Sequence, residues 1–160
     1  MLKRITVMLG MFLAIQTVLA QEKEKLVGLW KLVSFQTEIQ ATGERRNVYG
    51  QNPAGYWVYT PEGRMIGMIV GEGRKAGETD QDRAALHRTM IGYSGTYTVE
   101  GDKSTTKVDM SWNQSWVGTE QVRFFKISGD RVEFVSAWAP SPNIPERPMV
   151  RGVLTWERVK

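Results

Sequence analysis

Arg123 is the residue whose type and predicted position suggest specific chemistry. Gly129-Asp130 predicts a two-residue hairpin turn, which places Lys126 opposite Glu133. An opposite-charge pair of this kind belongs on the solvent face of a sheet, and successive side chains of a strand alternate between its faces. Gln121 and Arg123 are therefore predicted to point inward. Because arginine keeps its charge inside a protein, an inward Arg123 needs acceptors for its hydrogen bonds.

Three interpretations of Arg123 stay open from the sequence. In the first, its guanidinium binds a carboxylate, phosphate or carbonyl of a ligand. In the second, it binds an internal partner, namely Glu38, Glu120 or an ordered water molecule. In the third, the register of the strand differs by one residue and Arg123 lies on the outside.

An apolar lining is predicted around Arg123. A second hairpin, with its turn at Gly101-Asp102, pairs Tyr93 with Met110 and directs both inward. Apolar and aromatic side chains around a polar anchor are typical of a small-molecule pocket. Trp116, in a short polar loop, is compatible both with core packing and with ligand contact. The predicted ligand-contacting residues are Gln121, Arg123, Tyr93, Met110, Trp112, Phe125, Phe134 and Trp138.

Residue types that catalyse reactions or bind metals are scarce. His87 is the only histidine and cysteine is absent, whereas transition-metal sites need several such ligands. His87 is either a general base or a solvated helix residue, and the sequence favours the second. The sequence contains no nucleophile elbow, phosphate-binding glycine loop or zinc-protease motif. We therefore predict no catalytic residue, no metal and no cofactor.

The elements that would position these residues are strands joined by alternating short and long connections. Short turns are predicted at Pro61-Glu62-Gly63, Gly101-Asp102 and Gly129-Asp130. In an up-and-down barrel, successive connections lie at opposite ends, so the short turns close one end and the long loops surround an open mouth. We predict an all-β fold, an eight-stranded antiparallel up-and-down barrel. The predicted strands are 26–40, 55–60, 64–70, 91–100, 103–112, 119–128, 131–138 and 150–159.

Two further elements have weaker signals. A short helix over roughly 80–90, near the mouth, is predicted from a capping box between Thr79 and Asp82. Strands 55–60 and 64–70 are apolar on both faces, so periodicity does not assign their inward residues.

The first twenty residues are predicted to be a signal peptide rather than part of the folded domain. Lys3 and Arg4 precede an apolar run, and Val18 and Ala20 are small residues before a charged segment. Residues 21–160 then form one domain that is exported, periplasmic or secreted, with no membrane span after cleavage. The formal net charge of +4 includes the two basic residues of the signal peptide, and no basic stripe for nucleic acid is present.

Several motifs resemble those of a known family. Gly28-Leu29-Trp30 opens the first strand, and Leu154-Thr155-Trp156-Glu157-Arg158 ends the last. Together with the segments between them, they resemble the bacterial and fungal lipocalin-like domain family over nearly the whole of 21–160. The segments that carry the resemblance are 26–35, 55–65, 93–97, 116–123 and 154–158.

The resemblance implies a fold and, by analogy, a function. It implies a calycin-type barrel with Trp30 filling the base and a basic residue of the last strand, Arg158, stacked on it. It also implies binding of a small apolar molecule. Many members of the family carry a histidine near the position of Thr106-Lys107. This sequence has none there, so no role of such a histidine is carried over.

The sequence favours a binding function. We expect a small hydrophobic molecule, with a carboxylate or carbonyl head, to bind inside the barrel. One alternative is an isomerase or cyclase in which Arg123 polarises a carbonyl while Tyr93 or His87 transfers a proton. Another is a protein-interaction module that uses the long mouth loops. The small number of titratable residues predicted to point inward favours binding.

Overall fold

The computed structural model describes residues 22–141 and 144–160, so the predicted signal peptide at 1–20 lies outside the described residues. A helical turn at 22–26 precedes the first strand, helix α1 spans Asp80–Arg88, and a 3-10 turn spans Gln114–Trp116. The strands are β1 (Gly28–Ile39), β2 (Arg45–Asn47), β3 (Ala54–Tyr59), β4 (Arg64–Val70), β5 (Met90–Glu100), β6 (Lys103–Ser111), β7 (Glu120–Ser128), β8 (Arg131–Val135), β9 (Ala139–Pro140) and β10 (Met149–Arg158).

Eight of these strands close into an antiparallel barrel. Their order is β1-β3-β4-β5-β6-β7-β8-β10, and β10 pairs again with β1. The short strands β2 and β9 pair with parts of β1 and β10 and lie outside this closed circuit. The prediction of an eight-stranded all-β barrel is confirmed. The strand bounds agree closely with the predicted ones except at β8, which ends at Val135 rather than at 138.

Helix α1 begins as the sequence predicts. The Thr79 hydroxyl accepts a hydrogen bond from the Asp82 backbone N–H, and the Asp82 carboxylate accepts one from the Thr79 backbone N–H. This capping box satisfies two backbone donors at the start of the helix. None of the helix residues is buried, so α1 lies on the surface of the barrel. Within the two described ranges, no helix has the length and apolar character needed to cross a membrane.

A bulge in β1 changes which of its side chains face the interior. The pairing with β10 shifts between Leu32 and Ser34. Trp30 and Leu32 are buried below this point, whereas Phe35 and Thr37 face the cavity above it. The extra residue therefore reverses the alternation along the strand.

A second bulge makes one predicted position wrong. Lys126 does face Glu133 as predicted, but Tyr93 pairs with Ser111, and Met110 pairs with Ser94. The register shifts next to Gly95, so one additional residue of β6 reverses the facing of Met110. Met110 is 62% exposed and lies on the outer surface, not inside the barrel.

Candidate functional site

A cavity of about 370 Å³ opens inside the upper half of the barrel, the half towards the long loops. Its volume lies within the range of about 300–1,000 Å³ that small-molecule sites occupy. The polar side chains that line it are Thr37, Arg123 and Ser136. The aromatic ones are Phe35, Trp57, Tyr93 and Trp116, and the aliphatic ones are Ile69, Ile91 and Leu154.

Arg123 is the cation of this cavity. It lies on β7 opposite the buried Ser104 of β6, and its side chain is half-buried. Its Nη1 donates to the backbone carbonyl of Val122 at 2.8 Å, and its Nη2 donates to Oε1 of Gln121 at 3.3 Å. Its Nε is covered and has no hydrogen-bond partner among the described residues. The guanidinium thus has donors left over and meets only neutral acceptors in this part of the chain.

The structure excludes one of the three interpretations of Arg123, the shifted register, and both carboxylate partners of another. Arg123 lines the cavity, so the shifted register that would place it outside is wrong. Glu38 is not its partner, since its carboxylate pairs with Arg45 and Arg151, each at 2.9 Å. Glu120 is exposed, and it forms no ion pair with Arg123 within the described ranges. A ligand or a water molecule remains as the acceptor.

Two tyrosines lie close enough to Arg123 to sense its charge. Burial raises the pKa of Tyr93, which lines the cavity, and the positive charge of Arg123 partly opposes that rise. Burial raises the pKa of Tyr59, deeper in the core, well above its ordinary value, again against the charge of Arg123. Both phenols therefore stay protonated at neutral pH. Such groups can donate hydrogen bonds but cannot act as bases.

Tryptophans form one side of the mouth. The Trp116 ring meets Tyr93 edge-on at 5.5 Å and Trp112 at 4.8 Å. The 3-10 turn Gln114–Trp116, capped by the side chain of Asn113, holds Trp116 in place. Outside it, His87 donates from Nε2 to the backbone carbonyl of Trp112, with 3.2 Å between the two atoms. Trp116 thus lines the cavity. Trp112 packs against Trp116, and His87 in turn contacts Trp112, and neither of these two residues lines the cavity.

Residues 27–159 match the family model of the lipocalin-like domain. The chain belongs to the lipocalin-like domain family. This membership confirms the resemblance carried by the terminal motifs. It covers nearly all of the barrel, including the strands that hold the cavity.

This lipocalin-like domain is similar to two other proteins, one in sequence and one in structure. The 4'-hydroxy-3'-methoxypropiophenone carrier protein ppsC of Aspergillus oryzae (strain ATCC 42149 / RIB 40) is 32% identical over 89 residues, which are 51% of this chain and 78% of that protein. The crystal structure of an uncharacterized protein from Bacteroides eggerthii DSM 20697 superposes with a TM-score of 0.44 at 11% identity, covering 84% of this chain and 99% of that chain.

The structure brings only part of the predicted ligand-contacting set to the cavity of this lipocalin-like domain. Tyr93 and Arg123 line it, and Gln121 holds the guanidinium. Phe134 is fully buried beneath it, and Phe125 faces the opposite end of the barrel. The remaining three members, Met110, Trp112 and Trp138, do not line it among the described residues.

Trp138 has a different contact from the predicted one. The guanidinium carbon of Arg151 lies 4.6 Å from the centre of its ring. Arg151 in turn pairs with Glu38, which also binds the exposed Arg45. The strand β8 ends at Val135, three residues before Trp138, so the alternation used to predict an inward side chain does not extend that far.

Several cavity residues were not predicted from the sequence. Phe35 and Thr37 face inward because of the bulge in β1, for which the sequence has no clear marker. Trp57 and Ile69 belong to strands that are apolar on both faces. Within residues 22–141 and 144–160, no cluster of three or more histidine, cysteine, aspartate or glutamate side chains is placed to hold a metal ion.

Proposed function

We propose that this lipocalin-like domain binds one small hydrophobic molecule and recognises a carbonyl or carboxylate oxygen of it through Arg123. The observation that carries the proposal is a guanidinium that lines an otherwise mainly apolar cavity and has no carboxylate partner in the described chain. A buried charge without a counter-charge is unfavourable, and a hydrogen bond from a charged group to a ligand oxygen offsets that cost.

The aromatic lining of the cavity favours a flat or ring-bearing ligand. Phe35, Tyr93 and Trp116 present aromatic surface beside Arg123, and aromatic rings pack well against one another edge-on or offset. The relative from Aspergillus oryzae is named as the carrier of 4'-hydroxy-3'-methoxypropiophenone, an aryl ketone. That molecule combines one ring with one carbonyl, which are the two features that the aromatic wall and Arg123 would recognise here.

Binding is favoured over catalysis by the protonation states in the cavity. An isomerase or cyclase could use Arg123 to polarise a carbonyl and Tyr93 to donate a proton. Such a reaction also needs a base, and the described lining contains no aspartate, glutamate or histidine. Burial raises the pKa of Tyr93, which removes it as a base near neutral pH. His87 lies outside the lining, behind Trp112.

We also propose that the binding domain acts outside the cytoplasm, either in a periplasm or as a secreted protein. The basic start, the apolar run and the small residues Val18 and Ala20 support this proposal. A carrier in that location would capture its ligand from the surroundings of the cell.

Two measurements test the binding proposal. Native mass spectrometry of protein purified from its own source should reveal one co-purifying molecule with a carbonyl or carboxyl group. Calorimetric titration should then compare three probes: the aryl ketone of the fungal relative, the same phenol with a propyl chain in place of the propionyl group, and the corresponding benzoic acid. We expect the ketone and the acid to bind more tightly than the propyl compound. Equal affinity for all three would contradict recognition of an oxygen by Arg123.

A further inference from the structure

Trp57 forms the floor of the cavity. Its indole lines the cavity from below and is only 2% exposed. Underneath, it stacks on Trp156 with 4.3 Å between ring centres, and it meets Phe134 edge-on at 5.2 Å. Both of these residues are 0% exposed. The space beneath the indole is therefore filled by packed side chains, and Trp57 is the layer at which the cavity ends.

Gly67 makes room for this indole. It pairs with Trp57 across the β3–β4 ladder. A Cβ atom at position 67 would lie 1.9 Å from Cδ1 and 2.4 Å from Nε1 of Trp57, far inside van der Waals contact. The inward neighbours on β4, Met65 and Ile69, carry buried side chains. The indole thus occupies the place that a side chain at 67 would fill, and it extends from its own strand across the next.

We propose that the pair Trp57 and Gly67 sets the depth of the cavity and so restricts its ligands to compact molecules, such as a single ring with a short acyl chain. This inference rests on the proposed function, since it assumes that the ligand enters this cavity. A long unbranched acyl chain would need the space that the indole fills. The cavity of about 370 Å³ is near the lower end of the usual range for small-molecule sites, which is consistent with this restriction.

A homologous series of ligands measures the depth. The probes are hydroxyphenyl alkyl ketones with acyl chains from propionyl to decanoyl, together with the matched alkylphenols that lack the carbonyl. In the wild-type protein, the affinity should rise with chain length and then stop rising at a cut-off. In Trp57→Val, the cut-off should move to longer chains, and Kd should fall about fourfold for each additional methylene that becomes buried. The same cut-off in both proteins would overturn the proposal.

The coupling between the two residues gives a second test. Gly67→Ala alone should lower Tm and move the cut-off to shorter chains, because the new methyl group pushes the indole upward. In the Trp57→Val background the same methyl group enters vacant space, so it should raise Tm and return the cut-off part of the way. Strictly additive effects would contradict the proposal. Val132→Ala, which truncates a fully buried residue outside the lining, should lower Tm and leave the cut-off unchanged.

The outcomes separate this inference from the proposed function. If ketones and alkylphenols bind with equal affinity, recognition of the carbonyl by Arg123 is contradicted. The movement of the cut-off in Trp57→Val still tests whether Trp57 limits the depth of the cavity. If neither series binds the wild-type protein, toluene replaces them, because small apolar cavities take up such molecules. Toluene should then raise the Tm of Trp57→Val by more than that of the wild type, because the variant has the larger apolar space, and an equal rise would overturn the inference. Should Trp57→Val not fold, Trp57→Leu, which keeps more of the volume, takes its place in each comparison.

Discussion

The guanidinium carbon of Arg158 lies 4.2 Å from the centre of the Trp30 ring. The same guanidinium donates through Nη1 to the carbonyl of Val27 and through Nη2 to the carbonyl of Lys25, each at 2.6 Å. Trp30 is fully buried, and its indole N–H donates to the carbonyl of Leu26 at 2.8 Å. The last strand is thus joined to the helical turn that precedes the first strand, and this closes the base of the barrel.

Trp30→Ala should lower the free energy of unfolding by about 3–5 kcal/mol, the range for a large buried aromatic side chain. Arg158→Lys should cost about 1.5–3 kcal/mol, because the lysine keeps the charge but cannot reach both carbonyls. Urea denaturation measures both. The matched control is Trp138→Ala, which removes a partly exposed ring stacked on Arg151 and should cost only about 0.5–1 kcal/mol. A loss below about 1 kcal/mol for Trp30→Ala would show that Trp30 is not a core residue.

Gly95→Ala should destabilise the barrel by about 1–3 kcal/mol. A Cβ at this position would lie 2.1 Å from the backbone oxygen of Lys107, and the backbone cannot move aside without disturbing the bulge. The control is Gly92→Ala on the same strand, where the nearest atom would be 3.8 Å away, in ordinary contact. Chemical denaturation of both variants gives the comparison, and equal stability of the two would contradict the close approach at Gly95.

Gly95 also shows how far the barrel could be predicted from the sequence. Turn chemistry identified the hairpins, because Gly101-Asp102 and Gly129-Asp130 fix the register next to them. Strict alternation beyond the turn then failed at the bulge, which directed Met110 outward. A glycine in the interior of a strand was the available signal, since such glycines often mark bulges.

The candidate site was less predictable than the fold. Arg123 could be placed because a charged pair near its turn identifies the outer face of its hairpin. Trp57 and Ile69 could not, since their strands are apolar on both faces and only closure of the barrel decides which face is inside. Phe35 was missed for a different reason, namely the bulge earlier in β1.

Alkaline pH should destabilise the protein through its buried tyrosines. Burial raises the pKa of Tyr97 from 10.0 to about 12, and it also raises the pKa of Tyr59 and of Tyr93. A raised pKa in the folded state means that folding favours the neutral phenol, so this contribution is intact below the unfolded value and is lost as pH rises through the folded one. The free energy of unfolding should therefore fall between pH 10.0 and about 12.

A variant isolates the share of Tyr97 in this pH dependence. Its hydroxyl donates to the carbonyl of Thr60 at 2.9 Å. Tyr97→Phe should be less stable than the wild type near neutral pH, because that hydrogen bond is lost, and should show a shallower decline at alkaline pH. Urea denaturation at a series of pH values measures the slope, and an unchanged slope would exclude Tyr97 as a contributor.

Processing after Ala20 is expected if the protein is exported. The small residues Val18 and Ala20 precede the charged segment that starts at Gln21. Amino-terminal sequencing of the extracytoplasmic protein should begin at Gln21. Val18→Asp should block cleavage and retain Met1. A soluble cytoplasmic protein that keeps Met1 would contradict both processing and export.

Arg123→Leu should separate binding from stability. The variant removes a guanidinium that faces the cavity and has no carboxylate partner among the described residues, so the ligand-free protein should be as stable as the wild type or more stable. A ligand with a carbonyl or carboxylate should lose about 1.5–3 kcal/mol of binding free energy, the value of a hydrogen bond to a charged group. An uncharged apolar probe should bind as well or better, because the cavity becomes less polar.

The control Arg131→Leu, at an exposed position of the neighbouring strand, should change neither affinity. Calorimetry with matched acid and ester ligands decides: if Arg123→Leu binds each as tightly as the wild type does, Arg123 is not the anchor.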